Sequence, residues 1–162
     1  PFSNLKPEQM KIDRTDKAIL ELLQRDATLS VGQVAEKVNI SKTACWRRMQ
    51  QLEKQGVIEK RVALLNAEQV GLPLTVYIAV RTNQHNASWA QNFQQVTQNI
   101  PEILEVHRMS GDLDYMIKAV VSDMKGYDRL YKKLIDADLS DVSASFVMEE
   151  MKHTTELPLD QL

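Results

Sequence analysis

The sequence predicts an α+β fold in two parts: an N-terminal winged helix-turn-helix, then a C-terminal ferredoxin-like βαββαβ domain. Two observations predict it. Apolar residues recur at helical spacing behind cap residues up to about residue 55, and they alternate in strand fashion from about residue 74 onward. Between the two regimes, residues 66–73 hold Gly71 and Pro73 and read as a linker. The predicted boundaries are therefore an N-terminal extension over 1–11, a first domain over 12–65, the linker over 66–73 and a second domain over 74–162.

The first helix follows Asp13, which is placed to cap it, and carries Ile19, Leu20, Leu22 and Leu23 as an apolar stripe. Ser30 and Gln33 have the spacing of a capping box, and Val34, Ala35 and Val38 follow as the buried face of a short second helix. After the tight turn Asn39-Ile40-Ser41, Ser41 caps a third helix from Lys42 to about Gln55, stopped by Gly56. Cys45, Met49 and Leu52 fall on one side of this helix, while Thr43, Arg47, Gln50, Gln51 and Lys54 crowd the other. Trp46 reads as a packing aromatic and Cys45 as core. A β-like pair, Val57-Ile58 with Val62-Ala63-Leu64-Leu65, forms a small wing around Glu59-Lys60-Arg61.

Two helices joined by a three-residue turn, the second with a basic and amide-rich face, suit a major groove about 12 Å wide. Arg donates a bidentate pair to guanine and Gln pairs with adenine, so Arg47 and Gln50 are the candidate base readers. Lys54, Lys60 and Arg61 are candidate phosphate contacts, and Lys42, Thr43, Arg48 and Gln51 complete the DNA-binding set. The charge distribution agrees: residues 1–65 carry 12 Lys and Arg against 8 Asp and Glu, whereas residues 66–162 carry 8 against 14, for a net charge of -2. A basic part facing double-stranded DNA and an acidic part with another task are what this asymmetry predicts.

In the second part, strands are predicted at about 74–82, 103–110, 114–122 and 142–152. Helices with stripes Trp89, Phe93, Val96, Ile100 and Tyr127, Leu130, Tyr131, Leu134 lie between them, giving the order β-α-β-β-α-β. Both helices cover one face of the sheet, and Tyr77, Val147 and Met148 on the other predict self-association through it. The turn Ser110-Gly111-Asp112-Leu113-Asp114 permits two readings. It is a hairpin turn with an Asx bond, or a ligand loop in which backbone near Gly111 meets a carboxylate and Asp112 or Asp114 accepts from an ammonium.

Other chemistries find little support. His85, His107 and His153 are scattered, Glu149 and Glu150 point to opposite faces of a strand, and no phosphate-binding Gly-rich run exists, so no catalytic residue is named. The single cysteine offers neither a disulfide nor a zinc pattern, no metal site is expected, and a reducing cytoplasm fits. No apolar run approaches the ~20 residues of a membrane span. Met10 is a possible natural start. The function classes that remain are a ligand-responsive DNA-binding regulator, an amino-acid-binding module acting on a protein partner, and a small enzyme on a ferredoxin-like fold, the last disfavoured by the missing catalytic groupings.

From about residue 12 to 160 the sequence resembles the leucine-responsive regulatory protein/AsnC (feast/famine) family of transcription regulators. The resemblance rests on the opening Ile12-Asp13-Arg14-Thr15-Asp16, the run Ser41-Lys42-Thr43-Ala44-Cys45 through Gly56-Val57-Ile58, and Ala63-Leu64-Leu65-Asn66. Ser110-Gly111-Asp112-Leu113-Asp114-Tyr115, Ser122-Asp123-Met124 and His153-Thr154-Thr155 carry it in the second half. The family often has Pro where this chain has Lys42 and Ala44, so base preferences do not transfer. The resemblance implies a C-terminal domain that binds an effector and mediates assembly, with dimers that associate into octamers or open rings. It implies a small amino acid as effector, with leucine, methionine or cysteine-like ligands among the candidates, and no other cofactor. It also decides the turn in favour of the ligand reading. The effector would lie between dimers near Met109, Ser110, Gly111, Asp112 and Asp114, with Ser143 and Ser145 reaching it from the last strand.

Overall fold

The computed structural model describes residues 11–162, and the chain divides into two compact units. The expected extension over 1–11 lies, but for Lys11, outside the described residues. Among the described residues, one unit comprises residues 11–63 together with Lys152–Leu162, and the other comprises Leu64–Met151.

The first unit is built on three helices, α1 (Arg14–Leu23), α2 (Val31–Lys37) and α3 (Lys42–Lys54). Each starts where a polar side chain satisfies the free amides of a first turn. Asp13 and Asp16 form a reciprocal capping box at α1, Ser30 and Gln33 form one at α2, and Ser41 Oγ accepts from the Ala44 amide at α3. Asn39, at φ 56°, makes the left-handed turn that swings α3 away from α2. Ile19, Leu20, Leu23, Val34, Ala35, Cys45, Met49 and Leu52 form the buried core between the helices. Burial pushes the Cys45 thiol up, in keeping with a packing role.

Two local details differ from the outline expected from sequence. No strand forms between residues 57 and 65. The amides of Val57 and Ile58 both donate to the Leu52 carbonyl, at 2.9 and 3.1 Å, so the backbone groups that would begin a wing ladder are already engaged at the end of α3. Residues 152–162, placed in the second domain from sequence, instead belong to the first unit. Gln24 and Leu157 exchange a pair of hydrogen bonds of 3.0 and 2.9 Å, Arg25 pairs with Glu156 at 2.9 Å, and Leu159 packs on the helical core.

The second unit is a four-stranded antiparallel sheet of β1 (Leu74–Arg81), β2 (Ile103–Arg108), β3 (Tyr115–Val121) and β4 (Asp141–Phe146), in the order β2-β3-β1-β4. The helices α4 (Ala87–Gln98) and α5 (Met124–Leu134) supply the remaining core, giving the ferredoxin-like order. Alternation places Val76, Ile78 and Val80 in the core, against Ile117 and Ala119 of β3 and Trp89, Phe93, Leu130 and Leu134 of the helices. Trp89 stacks on Phe93 with ring centroids 5.1 Å apart, and its indole N–H donates to the Asp138 carbonyl at 3.0 Å. The last strand is shorter than the expected 142–152. The Val147 amide still reaches Thr75, but β1 starts at Leu74 just after Pro73, so residues beyond have no partner strand. Met148, expected on the uncovered sheet face, therefore lies past the sheet and is 96% exposed, whereas Tyr77 does sit on that face, opposite Ser145.

Candidate DNA-reading face and effector loop

The DNA-reading candidates begin with what α3 does not bury. With Cys45, Met49 and Leu52 turned inward, Lys42, Thr43, Trp46, Arg47, Gln50, Gln51 and Lys54 are exposed. Trp46, Arg47, Gln50, Gln51, Glu53 and Lys54 border one shallow hollow on this helix. Lys42, Arg47, Lys54 and Lys60 have no ion partner among the described residues, so their positive charge is available to a polyanion.

Three members of the picture drawn from sequence change. Arg48 does not belong to this face: its Nη1 donates to Asp13 Oδ2 at 2.7 Å and to Asp16 Oδ1 at 2.9 Å, tying α3 to the start of α1. The Asp16 amide, then the Arg48 guanidinium, hold the Asp13 carboxyl below its ordinary range. Arg61 pairs with Glu53 at 2.6 Å, an exposed bridge of the kind worth about 0–1 kcal/mol and therefore easily exchanged for a phosphate. Trp46, expected to pack, is 54% exposed. The signal for Trp46 was available: it is one residue off the Cys45–Met49–Leu52 stripe, outside the arc the core can cover.

The effector loop joins β2 to β3. Gly111 has φ +97°, which side-chain-bearing residues rarely adopt, and nothing within 4 Å would meet an added Cβ, so backbone conformation alone calls for glycine there. Around it the expected ligand residues divide into two groups. Arg81, at the end of β1, donates to Asp112 at 2.8 Å and to Asp141 at 3.0 Å, linking the loop to the start of β4. Asp112 and Asp141 together push the Arg81 guanidinium further up from its ordinary value. Ser143 and Ser145 lie on the same uncovered face as Arg81, paired in register with Ala79 and Tyr77.

Asp114 lies apart from that group. Its Oδ2 accepts from the Thr82 amide at 2.8 Å, and its own backbone carbonyl takes the Met109 amide at 2.8 Å. Asp114 and Met109 line a hollow of about 290 Å³ together with Thr82, Gln84, His85, Trp89, Arg108 and Tyr115. Ser110 and Gly111 are not among its lining. Sequence reasoning missed Arg81, Arg108 and the 82–86 segment. A lone Arg closing an apolar strand was the only hint of Arg81, and the others become neighbours of Asp114 only through the sheet.

Among the described residues no three metal-binding side chains cluster, and no helix is long and apolar enough to cross a membrane.

A helix-turn-helix unit with a cationic, amide-rich recognition helix and a separate ferredoxin-like unit with a polar loop hollow define a DNA-binding regulator with a ligand-binding domain. The profile described as winged helix-turn-helix DNA-binding matches residues 12–59, and that of the Lrp/AsnC ligand binding domain matches residues 75–157. The chain belongs to the Lrp/AsnC family of transcription regulators, which is not a family of enzymes. It is 47% identical over 152 residues to the glutamate uptake regulatory protein of Zymomonas mobilis, covering 93% of each chain. To the DNA-binding transcriptional activator DecR of Escherichia coli it is 43% identical over 151 residues, 92% of this chain and 99% of that one. An AsnC family regulator from Agrobacterium tumefaciens superposes with a TM-score of 0.88 at 47% identity, covering 93% of this chain and 99% of that one. A Neisseria meningitidis regulator solved as a complex with L-Met does so with a TM-score of 0.88 at 33% identity, covering 92% and 97%.

Proposed function

We propose that the second unit binds a free amino acid at the Met109–Asp114 loop, and that the bound effector changes how dimers associate and so how the protein holds DNA. One observation carries this reading. The hollow beside the loop presents a carboxylate, Asp114, and a guanidinium, Arg108, together with the apolar walls of Trp89 and Met109, which is the complement of a zwitterion with a side chain. Its volume of about 290 Å³ lies just below the ~300–1,000 Å³ typical of drug-sized ligands, which suits a ligand as small as an amino acid. The Neisseria relative with L-Met is consistent with this, and leucine, methionine and cysteine-like ligands remain the candidates. Ser143, Ser145 and the Arg81 cluster, on the sheet face free of helices, are assigned to contact between protomers and through it to the effector response.

Arg47 and Gln50 read base edges, Lys42, Thr43, Gln51 and Lys54 flank them, and Lys60 and Arg61 hold phosphates, in a cytoplasmic protein that binds as a dimer or a higher assembly such as an octamer. The test is calorimetric titration of the full chain with each of the twenty amino acids, paired with sedimentation velocity and DNA binding. The expected result is one amino acid, or a small related set, that binds and shifts both association and DNA affinity, by a coupling of about 1–3 kcal/mol. Binding that leaves both unchanged would refute the sensing mechanism.

A further inference from the structure

We infer that Trp46 is a thymine-reading residue of the recognition helix. The inference rests on the DNA-binding assignment and deepens it. At about 100° per residue, Trp46 sits roughly 90° from the centre of the buried Cys45–Met49–Leu52 stripe, with Gln50 about 40° further round and Arg48 on the opposite flank. Its indole is 54% exposed and borders the same hollow as Arg47, Gln50, Gln51 and Lys54. A lone exposed aromatic is ordinary by itself; what sets Trp46 apart is its place on α3 beside the cationic and amide side chains of the same hollow, where a partner that covers those residues also covers the ring.

The chemistry of the groove says what covers it. Arg47 suits guanine and the amides of Gln50 and Gln51 suit adenine, whereas the distinguishing feature of thymine is its apolar 5-methyl group. Besides Trp46, the exposed apolar group on this helix is the methyl of Thr43, one turn earlier. A ring on the flank of the helix can lie against the groove wall and cover a methyl while Arg47 and Gln50 reach the floor.

The test uses the full-length protein and a duplex selected by the wild type from random-sequence DNA. Each thymine in that duplex is replaced in turn by deoxyuridine, which deletes the methyl and leaves base pairing intact. At one or two positions per half-site the wild type should lose about fourfold in affinity, the value of one buried methyl. Trp46→Ala should bind the parent duplex more weakly and be indifferent to deoxyuridine at those positions, and Trp46→Leu should retain part of the discrimination. Because Trp46 is outside the buried core, both variants should melt like the wild type. Fluorescence gives a second readout: of the two tryptophans, Trp89 is 6% exposed and stacked, so DNA should quench only the red-edge emission, and Trp46→Phe should abolish that change. Equal deoxyuridine penalties in wild type and Trp46→Ala at every position overturn the role. A Trp46→Ala variant that instead changes the sedimentation of the DNA-free protein overturns it in favour of a protein contact. Failure of the wild type to select any duplex would overturn the DNA assignment itself, which the other two outcomes leave standing.

Discussion

Replacing Arg48 with Ala should destabilise the first unit by about 3 kcal/mol while leaving base reading to Arg47. Arg48 binds two carboxylates of unequal burial: the side chain of Asp16 is 5% exposed, that of Asp13 is 50% exposed, and its own is 31% exposed. The Asp13 arm is a surface-type pair and contributes up to about 1 kcal/mol. The Asp16 arm is different, because its loss strands a buried carboxylate, which costs about 3–5 kcal/mol in fully buried pairs. Asp16 Oδ2 keeps the Asp13 amide at 3.2 Å, which reduces the loss toward about 2 kcal/mol. The assay is native-state hydrogen exchange. Amides of α1 and α3 that exchange by unfolding of the unit should exchange about a hundredfold faster, from ~1.4 kcal/mol per decade, and amides of the sheet should be unaffected.

Acid should erase part of the difference. The folded Asp13 pKa is below its ordinary 3.8, so the unfolded chain takes up protons first; the stabilisation is complete above that ordinary value and is lost as pH falls through the folded value. Wild-type stability should therefore fall more steeply below pH 4 than that of Arg48→Ala. The reasoning is refuted if Arg48→Ala exchanges within threefold of wild type, or if it loses specific DNA affinity to the same degree as Arg47→Ala while remaining stable.

Three further outcomes are expected. Ending the chain after Met151 removes the Gln24–Leu157 bonds and the packing of Leu159, and should cost the helical unit about 2 kcal/mol without changing the sheet; unchanged exchange of α1 amides would count against it. Gly111→Ala should lower stability by about 1–2 kcal/mol, measured by thermal melting, purely from its positive φ; a neutral result would mean that the loop relaxes freely. Asp114→Asn should melt close to wild type because an amide oxygen still accepts from Thr82, whereas Asp114→Ala should lose about 1–3 kcal/mol. Both should bind the amino acid more weakly by calorimetry, and undiminished affinity in Asp114→Asn would exclude that carboxylate as the ammonium partner.

The sequence by itself determined what depends on neighbours a few residues apart. Asp13, Ser30 and Ser41 announce helix starts because a cap bonds within three residues, and all three cap as expected. Alternation in β1 and helical spacing in α4 and α5 select most of the buried faces, because the periods of strand and helix are local properties, although Tyr131 of the expected α5 stripe is exposed. The order of elements then leads to the ferredoxin-like arrangement, and the cationic face of α3 follows from the same periodicity. Tertiary structure decided everything that depends on which distant group arrives first. Helical spacing sets Arg47 opposite the buried stripe and Arg48 on its flank, but only the approach of α1 ties Arg48 to Asp13 and Asp16. Val57 and Ile58 have strand character, yet both of their amides donate to the Leu52 carbonyl, so no strand begins at these two residues. Leu159 lies in a tail with no periodicity, and it packs against the helical core, partly buried, because residues 152–162 group with the helices. Asp112 and Asp114, two residues apart, are separated by the register of the strands, which delivers Arg81 to one and the Thr82 amide to the other. Hydrogen bonds and ion pairs form over about 3 Å, so their partners are set by the packed chain rather than by spacing along it.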